Sequence, residues 1–228
     1  MPKNSRVNLD KLDPQNPLAA LIRKTLDAEK DKNGSTVEEV KRIFTGLDNF
    51  DSSEEFEFHM WCNDALKLGL LSTVLYHPEP FVLSAKVEID KEVKLKTKTK
   101  TVKAFLMHPH EYTPDFMLEI TAKGERFLYD RRLTSRGCLS NYPGPSLRMY
   151  VDVKGGFSLY HDDKPFSMNQ KWVYDKYKVY IHKVVPKKWF TKTWVPEAAL
   201  YSPKKHKLKD CYRGCETFKT IKEKLNVQ

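Results

Sequence analysis

The chain has 228 residues, 40% of them hydrophobic and 12% aromatic, and its 40 lysines and arginines outnumber its 30 acids to give a net charge of +10. This length is enough for one sizeable domain with a real core, or for a domain with an appendage. No apolar run approaches 18 residues, which argues against a membrane span. The basic balance favours an anionic polymer such as nucleic acid as the partner.

The N-terminus and the cysteines predict a reducing, cytoplasmic setting. The N-terminal segment is polar and lacks the apolar stretch of a secretory signal. The four cysteines do not form the dense framework of a small disulfide-bonded domain. Cys211 and Cys215, with His206 five residues earlier, have no second ligand pair, so two ordinary thiols are expected there rather than a zinc site.

Residues 1–48 are expected to form a flexible leader followed by a helical hairpin. Residues 17–31 carry the apolar stripe of a helix, and Asn33-Gly34 breaks it. Ser35-Thr36 then offers an N-cap for a second, short helix. Two roles stay open for this hairpin: packing on the core or contacting nucleic acid.

The next helix is predicted to start at Asp51-Ser52-Ser53 and to run to about Leu71. Its apolar residues recur at helical spacing and predict a buried stripe, made of Phe58, Trp61, Ala65 and Leu68. A strand should follow, interrupted by His77-Pro78 and Pro80.

Residues 87–106 are predicted to form a strand with a row of lysines on one face. Lysine alternates with leucine or threonine there, which places the lysines about 6.7 Å apart along an extended chain. The row consists of Lys94, Lys96, Lys98 and Lys100. Such lysines either protect an exposed sheet edge from aggregation or contact a phosphate backbone, and the two roles are compatible.

Two apolar runs, residues 111–120 and 147–153, each deliver an acid to a predicted strand end. These acids are Asp115 and Asp152, and Lys154 follows two residues after the second. Because side chains alternate between the faces of a strand, Asp152 and Lys154 should point the same way while the valines beside them point into the core. One face would then carry carboxylate and ammonium side by side.

This grouping suits magnesium-assisted cleavage of a phosphodiester. Mg²⁺ takes oxygen ligands, usually one or two carboxylates with waters and phosphate oxygens, and it can position a water and neutralise developing charge. Asp115 and Asp152 are the expected ligands, and the backbone carbonyl of Val153 is a further candidate. Lys154 would orient or activate the attacking water, or offset charge on the phosphate.

The stretch between the two aspartates is rich in arginine and must fold back for the site to form. Asp152 comes 37 positions after Asp115. We expect a hairpin extension that reaches nucleic acid through Arg126, Arg131, Arg132 and Arg136. A helix and a strand should follow residue 153. The basic tail, residues 186–228, would either stack bases on Trp189 and Trp194 or pack those rings on the core.

The order of elements predicts an α/β fold with a mixed central sheet flanked by helices. Within it, Pro114-Asp115 and Asp152-Val153-Lys154 resemble the two halves of the PD-(D/E)xK nuclease motif. The sequence segments around these residues, YTPDF and YVDVKG, look most like those of the small phage-encoded endonucleases of that superfamily. The resemblance covers residues 50–185, and we take 49–185 as the core. It implies a restriction-endonuclease-like fold with elements in the order αβββαβ.

The resemblance also implies a third carboxylate from the helix that precedes the sheet. Glu57 lies four residues before Trp61, near the apolar edge of that helix, and is the first choice. Glu55 is the second choice, because a capping box with Ser52 already explains it. Glu54 lies on the same edge one turn earlier. Gln170 and Lys171, expected to open the following helix, lie either near the scissile phosphate or on a solvent-facing helix start.

The implied activity is that of a DNA endonuclease that uses Mg²⁺, with Mn²⁺ as a substitute. Two alternatives stay open. The first is a resolvase of Holliday junctions or other branched DNA, which would act as a homodimer. The second is a nucleic-acid-binding protein without catalysis that uses the same basic surface.

Overall fold

The structure is a computed structural model that describes residues 37–134, 136–141, 147–156 and 163–226. The predicted leader and the predicted helix at 17–31 lie outside the described residues. The helices are α1 Val37–Ile43, α2 Ser53–Lys67, α3 Ala122–Asp130, α4 Asp163–Tyr177, α5 Pro186–Lys192, α6 Glu197–Leu200 and α7 Phe218–Asn226. The strands are β1 Leu71–Tyr76, β2 Phe81–Ser84, β3 Val87–Lys94, β4 Thr99–Met107, β5 His110–Tyr112, β6 Phe116–Ile120, β7 Ser140–Asn141, β8 Leu147–Val153 and β9 Ile181–Val184.

A mixed sheet lies at the centre of the fold. β1, β6 and β8 are antiparallel neighbours, with Tyr76 opposite Phe116 and Phe116 opposite Val151. The outer edge of β8 pairs with β7 near its start and, in the parallel sense, with β9 near its end. The predicted α/β class with a mixed sheet is therefore confirmed. Among the described residues, no helix has the length and apolar character needed to cross a membrane.

Helix α2 covers one face of this sheet. Its N-terminus is capped by the Ser52 side chain, which accepts the N–H of Glu55 at 3.1 Å, and Gly69 takes a left-handed φ of 68° just beyond its end. The predicted stripe is buried and packs against alternate residues of β6 and β8. The opposite face of the sheet is covered by α4, whose Phe166 and Val173 join a second cluster with Ile181.

The C-terminal tail belongs to the same core as the sheet. Trp194 stacks on Trp61 of α2 with ring centroids 4.8 Å apart, and the Trp61 indole N–H donates to the Thr193 hydroxyl at 3.0 Å. Trp189 is also buried in this cluster. Of the two roles considered for these rings, the structure has the packed one. The part of the tail around Trp189 and Trp194 is therefore packed in the core of the sheet and α2.

Residues 87–106 do not form one strand, and that prediction is wrong. β3 and β4 pair with each other in an antiparallel hairpin, here called the ribbon, which turns at residues 95–98 with the Leu95 N–H bonded to the Lys98 carbonyl at 2.7 Å. Lys94 lies opposite Thr99, whereas Lys100 lies opposite Val93. Cross-strand partners share a face, so these two lysines point to opposite faces and the predicted row does not exist.

The segment between β6 and β8 folds back through the helix α3, which the sequence did not predict, and then through β7, which pairs antiparallel with the start of β8. Thr121 caps α3 by accepting the Gly124 N–H at 3.1 Å. A Cβ on Gly124 would lie 1.9 Å from the Leu70 carbonyl oxygen, so only glycine allows this close approach of α3 to the start of β1. The arginines of this segment consequently lie on and after a packed helix.

Candidate active site

The sheet brings Asp115 and Asp152 together at one edge, although 37 positions separate them. Because Phe116 lies opposite Val151, the residue before β6 and the penultimate residue of β8 are neighbours on one face. Asp115 Oδ2 accepts the backbone N–H of Val153 at 2.6 Å. This edge, where Asp115, Asp152 and Lys154 meet, is here called the acidic edge.

Asp152 is buried, with 4% of its surface exposed. The Tyr112 hydroxyl of β5 donates to its Oδ2 atom. Its Oδ1 atom forms an ion pair with the Lys154 ammonium, yet it accepts no hydrogen bond of good geometry from the described residues. Asp152 and Lys154 thus point the same way, as predicted, and Val151 and Val153 are buried on the other face of the strand.

The helix carboxylate at the acidic edge is that of Glu55. It is buried and accepts hydrogen bonds from the Tyr76 hydroxyl at 2.7 Å and from the Ser52 hydroxyl at 2.8 Å. Its charge contributes to the raised pKa values of both Asp115 and Lys154. Its capping role therefore does not remove it from the site.

The first choice, Glu57, is directed elsewhere. It accepts a hydrogen bond from the Lys209 ammonium of the C-terminal tail at 2.5 Å. Two residues along a helix are about 200° apart around its axis, so Glu55 and Glu57 cannot face the same site. Burial raises the pKa of Glu57 to about 7, against the opposing effect of Lys209. Glu54 accepts from the Ser53 hydroxyl at 2.9 Å, and its Oε1 atom lies 3.6 Å from where a Cβ on Gly155 would be, so this carboxylate also comes close to the segment that follows Lys154.

Burial controls the electrostatics of the acidic edge. Burial first, and the charge of Asp152 second, raise the pKa of Asp115 to about 7. Burial disfavours the charged form of Lys154, but its hydrogen bond to Asp152 and the nearby carboxylates outweigh that effect and raise its pKa. Lys154 is therefore an ammonium at neutral pH, suited to offsetting negative charge.

The donor set at the acidic edge fits a hard cation. Mg²⁺ prefers oxygen ligands, and Asp115, Asp152 and Glu55 offer carboxylates. Val153 lies between the two aspartates, with its N–H bound to Asp115. The buried Asp152 Oδ1 atom is paired with the Lys154 ammonium, so a bound cation would share this oxygen with Lys154.

A second group of donors adjoins this one through Glu55. Donor atoms of Asp51, Glu55 and His77 all lie within 4.8 Å of one another. The His77 ring lies 3.6 Å from the Asp51 carboxylate, and its backbone N–H donates to the Asp115 carbonyl at 2.9 Å. No local pattern predicted this group, since His77-Pro78 indicated only an interruption of a strand.

Among the described residues, the other predicted contact residues form no hydrogen bond or ion pair with Asp115, Asp152 or Lys154. Gln170 and Lys171 do not open a helix, because α4 begins at Asp163. The Gln170 amide donates to the Ile181 carbonyl at 2.6 Å and so ties α4 to β9. Lys171 is exposed on the outer side of α4. The ribbon lysines, Lys94, Lys96, Lys98 and Lys100, are all exposed around the turn of the ribbon.

The arginines come after β6 in the chain. The far end of this five-residue strand lies about 17 Å from Asp115, at about 3.4 Å for each extended residue. Arg126 pairs with Asp130 at 3.7 Å, and the Arg131 guanidinium lies 3.9 Å from the centre of the Phe127 ring. Arg132 is exposed, and Arg136 begins a short 3₁₀ turn. Arg132 also lines a groove with residues of β9 and α5.

No family model, no curated protein and no solved structure matches this chain. What the chain does must therefore be inferred from the arrangement of its own residues.

Proposed function

We propose that the chain is a Mg²⁺-dependent DNA endonuclease with a restriction-endonuclease-like core. The observation that carries this proposal is the convergence of Asp115, Asp152 and Lys154 on one sheet edge, with Glu55 beside them. Three buried or half-buried carboxylates held against a lysine are costly to the fold unless something uses them. Strongly shifted pKa values of such groups are typical of functional sites.

The order of elements supports the likeness to the PD-(D/E)xK superfamily. Helix α2 is followed by β1, β6 and β8, then by α4 and β9. With β2–β5 and α3–β7 treated as insertions, this order is αβββαβ. The two motif halves lie on the neighbouring strands β6 and β8, as the resemblance implies.

Each residue at the acidic edge has a distinct proposed role. Asp115, Asp152 and Glu55 would hold Mg²⁺, which when bound supplies charge neutralisation and a polarised water for phosphodiester hydrolysis. Lys154, as an ammonium, would orient the attacking water and balance charge on the phosphate. Tyr112 and Tyr76 fix the carboxylates through their hydroxyls, so that the oxygens stay aimed at the same place.

A non-catalytic DNA-binding protein is the second candidate, and the ribbon is the observation that favours it. Every side chain from Glu88 to Thr101 is exposed, and the lysines around its turn have no ion-pair partner among the described residues. Such a surface binds a polyanion whether or not the acidic edge is active.

A matched pair of substitutions in α2 tests the proposal. Glu55→Gln and Glu57→Gln each remove one buried carboxylate, two residues apart on one helix. Cleavage of plasmid, linear and branched DNA is measured with Mg²⁺ and with Mn²⁺, and folding is checked by thermal unfolding. We expect Glu55→Gln to abolish cleavage and Glu57→Gln to retain it.

Three other outcomes would count against the proposal or its site. Equal losses in both variants would contradict the placement of Glu55. Undiminished cleavage in Glu55→Gln would contradict its role. Binding of DNA by the wild-type protein with no cleavage under either ion would establish the non-catalytic alternative.

A further inference from the structure

A groove with basic walls lies beside the acidic edge, on the outer side of β9. Three separate parts of the chain form it: the end of α3, the strand β9 and the helix α5. Its volume is about 320 Å³. At about 30 Å³ for each water, that is room for roughly ten waters, enough for a sugar–phosphate unit. We call it the basic groove.

All the charged side chains that line the basic groove are positive. They are Arg132, Lys183, Lys188 and Lys192, and none of the lining residues is an acid. Lys188 and Lys192 are four residues apart on α5 and therefore project from the same side of that helix. Arg132, Lys188 and Lys192 have no ion-pair partner within the described part of the chain. Cations gathered without counter-charges favour an anionic ligand.

A buried tryptophan also lines the groove. Trp189 is 95% buried, being 5% exposed, and it lines the groove. Its indole N–H is buried and has no hydrogen-bond acceptor among the described residues. A buried donor without an acceptor is costly to the fold. An electronegative ligand in the groove would reduce that cost by providing favourable charge nearby.

The groove adjoins the proposed active site through one residue. The backbone N–H of Lys154 donates to the carbonyl of Val184 at 2.8 Å, and Val184 lines the groove. β8 and β9 are parallel, so their C-terminal ends lie at the same edge of the sheet, about 4.8 Å apart. The groove therefore begins at the same edge of the sheet as the acidic edge.

We propose that the basic groove binds backbone phosphates of the same DNA that is cleaved at the acidic edge. The proposal rests on the proposed endonuclease function and adds to it the path of the substrate, which runs from the acidic edge across the end of β9. The sequence indicated Arg132 among these residues and allowed Lys188 and Lys192 of the basic tail to meet phosphates, whereas Lys183 lies in a segment assigned to a strand.

The test compares two double substitutions that remove equal charge. Lys188→Gln/Lys192→Gln alters the groove, and Lys187→Gln/Lys222→Gln alters exposed lysines outside it. Binding of a fluorescein-labelled DNA duplex is followed by anisotropy in EDTA over a KCl series, with thermal unfolding as the check on folding. Each lost phosphate contact makes the negative slope of log K against log salt shallower by about 0.9. The slope of the groove variant should therefore be shallower by about 1.8, and that of the control should be unchanged.

The outcomes separate the groove from the proposed function, because binding is measured without cleavage. A lower slope in the groove variant alone supports the proposal, even if the wild-type protein fails to cleave DNA. Equal slopes in both variants would overturn it, even if cleavage is intact. Release of the duplex by a few millimolar inorganic phosphate, at constant ionic strength, would also overturn it by indicating a small-anion site.

Discussion

The acidic edge and the ribbon carry charge in opposite ways. At the acidic edge, Asp152 is buried, and both of its oxygens face a neighbouring side chain, Tyr112 or Lys154. In the ribbon, the side chains from Glu88 to Thr101 are exposed, and the lysines of its turn face solvent. Fixed, buried charges hold reacting groups in one geometry, whereas exposed and mobile charges bind a polyanion without a fixed geometry.

The two regions are nevertheless joined through one short strand. The ribbon is inserted between β2 and β5, and β5 carries Tyr112 to Asp152. From α4, the Lys176 ammonium and the Tyr177 hydroxyl both donate to the Val82 carbonyl of β2 at 2.7 Å. The base of the ribbon is thus anchored to α4 and, through Tyr112, to the acidic edge, whereas the side chains around its turn are exposed. Because the acidic edge has buried charges and the ribbon has exposed ones, we predict that mutations can separate DNA cleavage from DNA binding.

The largest expected effect is on cleavage. Asp152→Asn should reduce Mg²⁺-dependent cleavage by far more than the roughly 10–100-fold typical of losing a residue that only supports a metal ligand. The neutral amide is a poorer ligand for Mg²⁺, but the ribbon is unchanged, so the affinity for DNA in EDTA should stay within about twofold. Single-turnover cleavage and anisotropy measure the two quantities. A parallel loss of both would show that the two regions are not separable.

The reverse separation is expected from the ribbon. Replacing Lys94, Lys96, Lys98 and Lys100 with glutamine should weaken duplex binding at least tenfold at about 0.1 M salt. The slope of log K against log salt should fall by as much as about 3.6 if all four lysines contact phosphates. Cleavage at saturating DNA should persist, since no residue of the acidic edge is altered. An unchanged slope would contradict the ribbon as a DNA-binding element and leave protection of the sheet edge as its role.

The acidic edge was predictable because its signals are local. Alternation along residues 147–153 fixes the common direction of Asp152 and Lys154, and the structure has the strand with those bounds. The meeting of Asp115 with Asp152 needed only that β6 and β8 pair, although the sequence did not reveal that a helix connects them. Glu57 was preferred to Glu55 because it lies near the apolar edge of the helix, whereas a capping box already explained Glu55. The rotation of α2 about its axis depends on packing, and it directs Glu57 to the C-terminal tail. The partner of Glu57 there is Lys209, which is 152 positions away in the sequence.

The ribbon was mispredicted for a different physical reason. Its turn, residues 95–98, contains leucine, lysine and threonine and none of the glycine, proline, asparagine or aspartate that usually marks a hairpin turn. Alternation of lysine with threonine continues through the turn and imitates one strand. The packing of Trp189 and Trp194 beside Trp61 was likewise left open by the sequence, because aromatic residues near lysines are equally typical of base-stacking surfaces.

Tyr112 tests how strongly the base of the ribbon supports the acidic edge. Tyr112→Phe removes the hydroxyl that donates to Asp152 Oδ2, which frees the carboxylate to turn and should weaken metal binding about tenfold. Tyr177→Phe is the matched control, because it removes a hydrogen bond to β2 but leaves Asp152 untouched. Mn²⁺ binding measured by calorimetry gives the readout. Equal affinities in the two variants would contradict the supporting role of Tyr112.

The pH dependence of metal binding should report Asp115. Burial raises its pKa to about 7 in the metal-free protein, and a metal ligand must be deprotonated. Affinity for Mn²⁺ should therefore be full above pH 7 and fall by about tenfold between pH 8 and pH 6 as protons compete. Binding that is flat across this range would show that Asp115 is not a ligand or is already ionised. No such dependence is expected of the exposed lysines of the ribbon.

The smallest expected effect is on stability. Replacing Val93–Lys100 with Asn-Gly would leave Glu92 opposite Thr101 across a two-residue turn. Every side chain removed is exposed, so the free energy of unfolding should change by less than about 1 kcal/mol, or about 2–4 °C in Tm. Trp194→Ala removes the ring that stacks on Trp61 and leaves a cavity, so it should instead lower the free energy of unfolding by about 3–5 kcal/mol. A large loss of stability in the shortened ribbon would mean that the ribbon is held by the body after all, and that its charge cannot be removed without disturbing Tyr112 and the acidic edge.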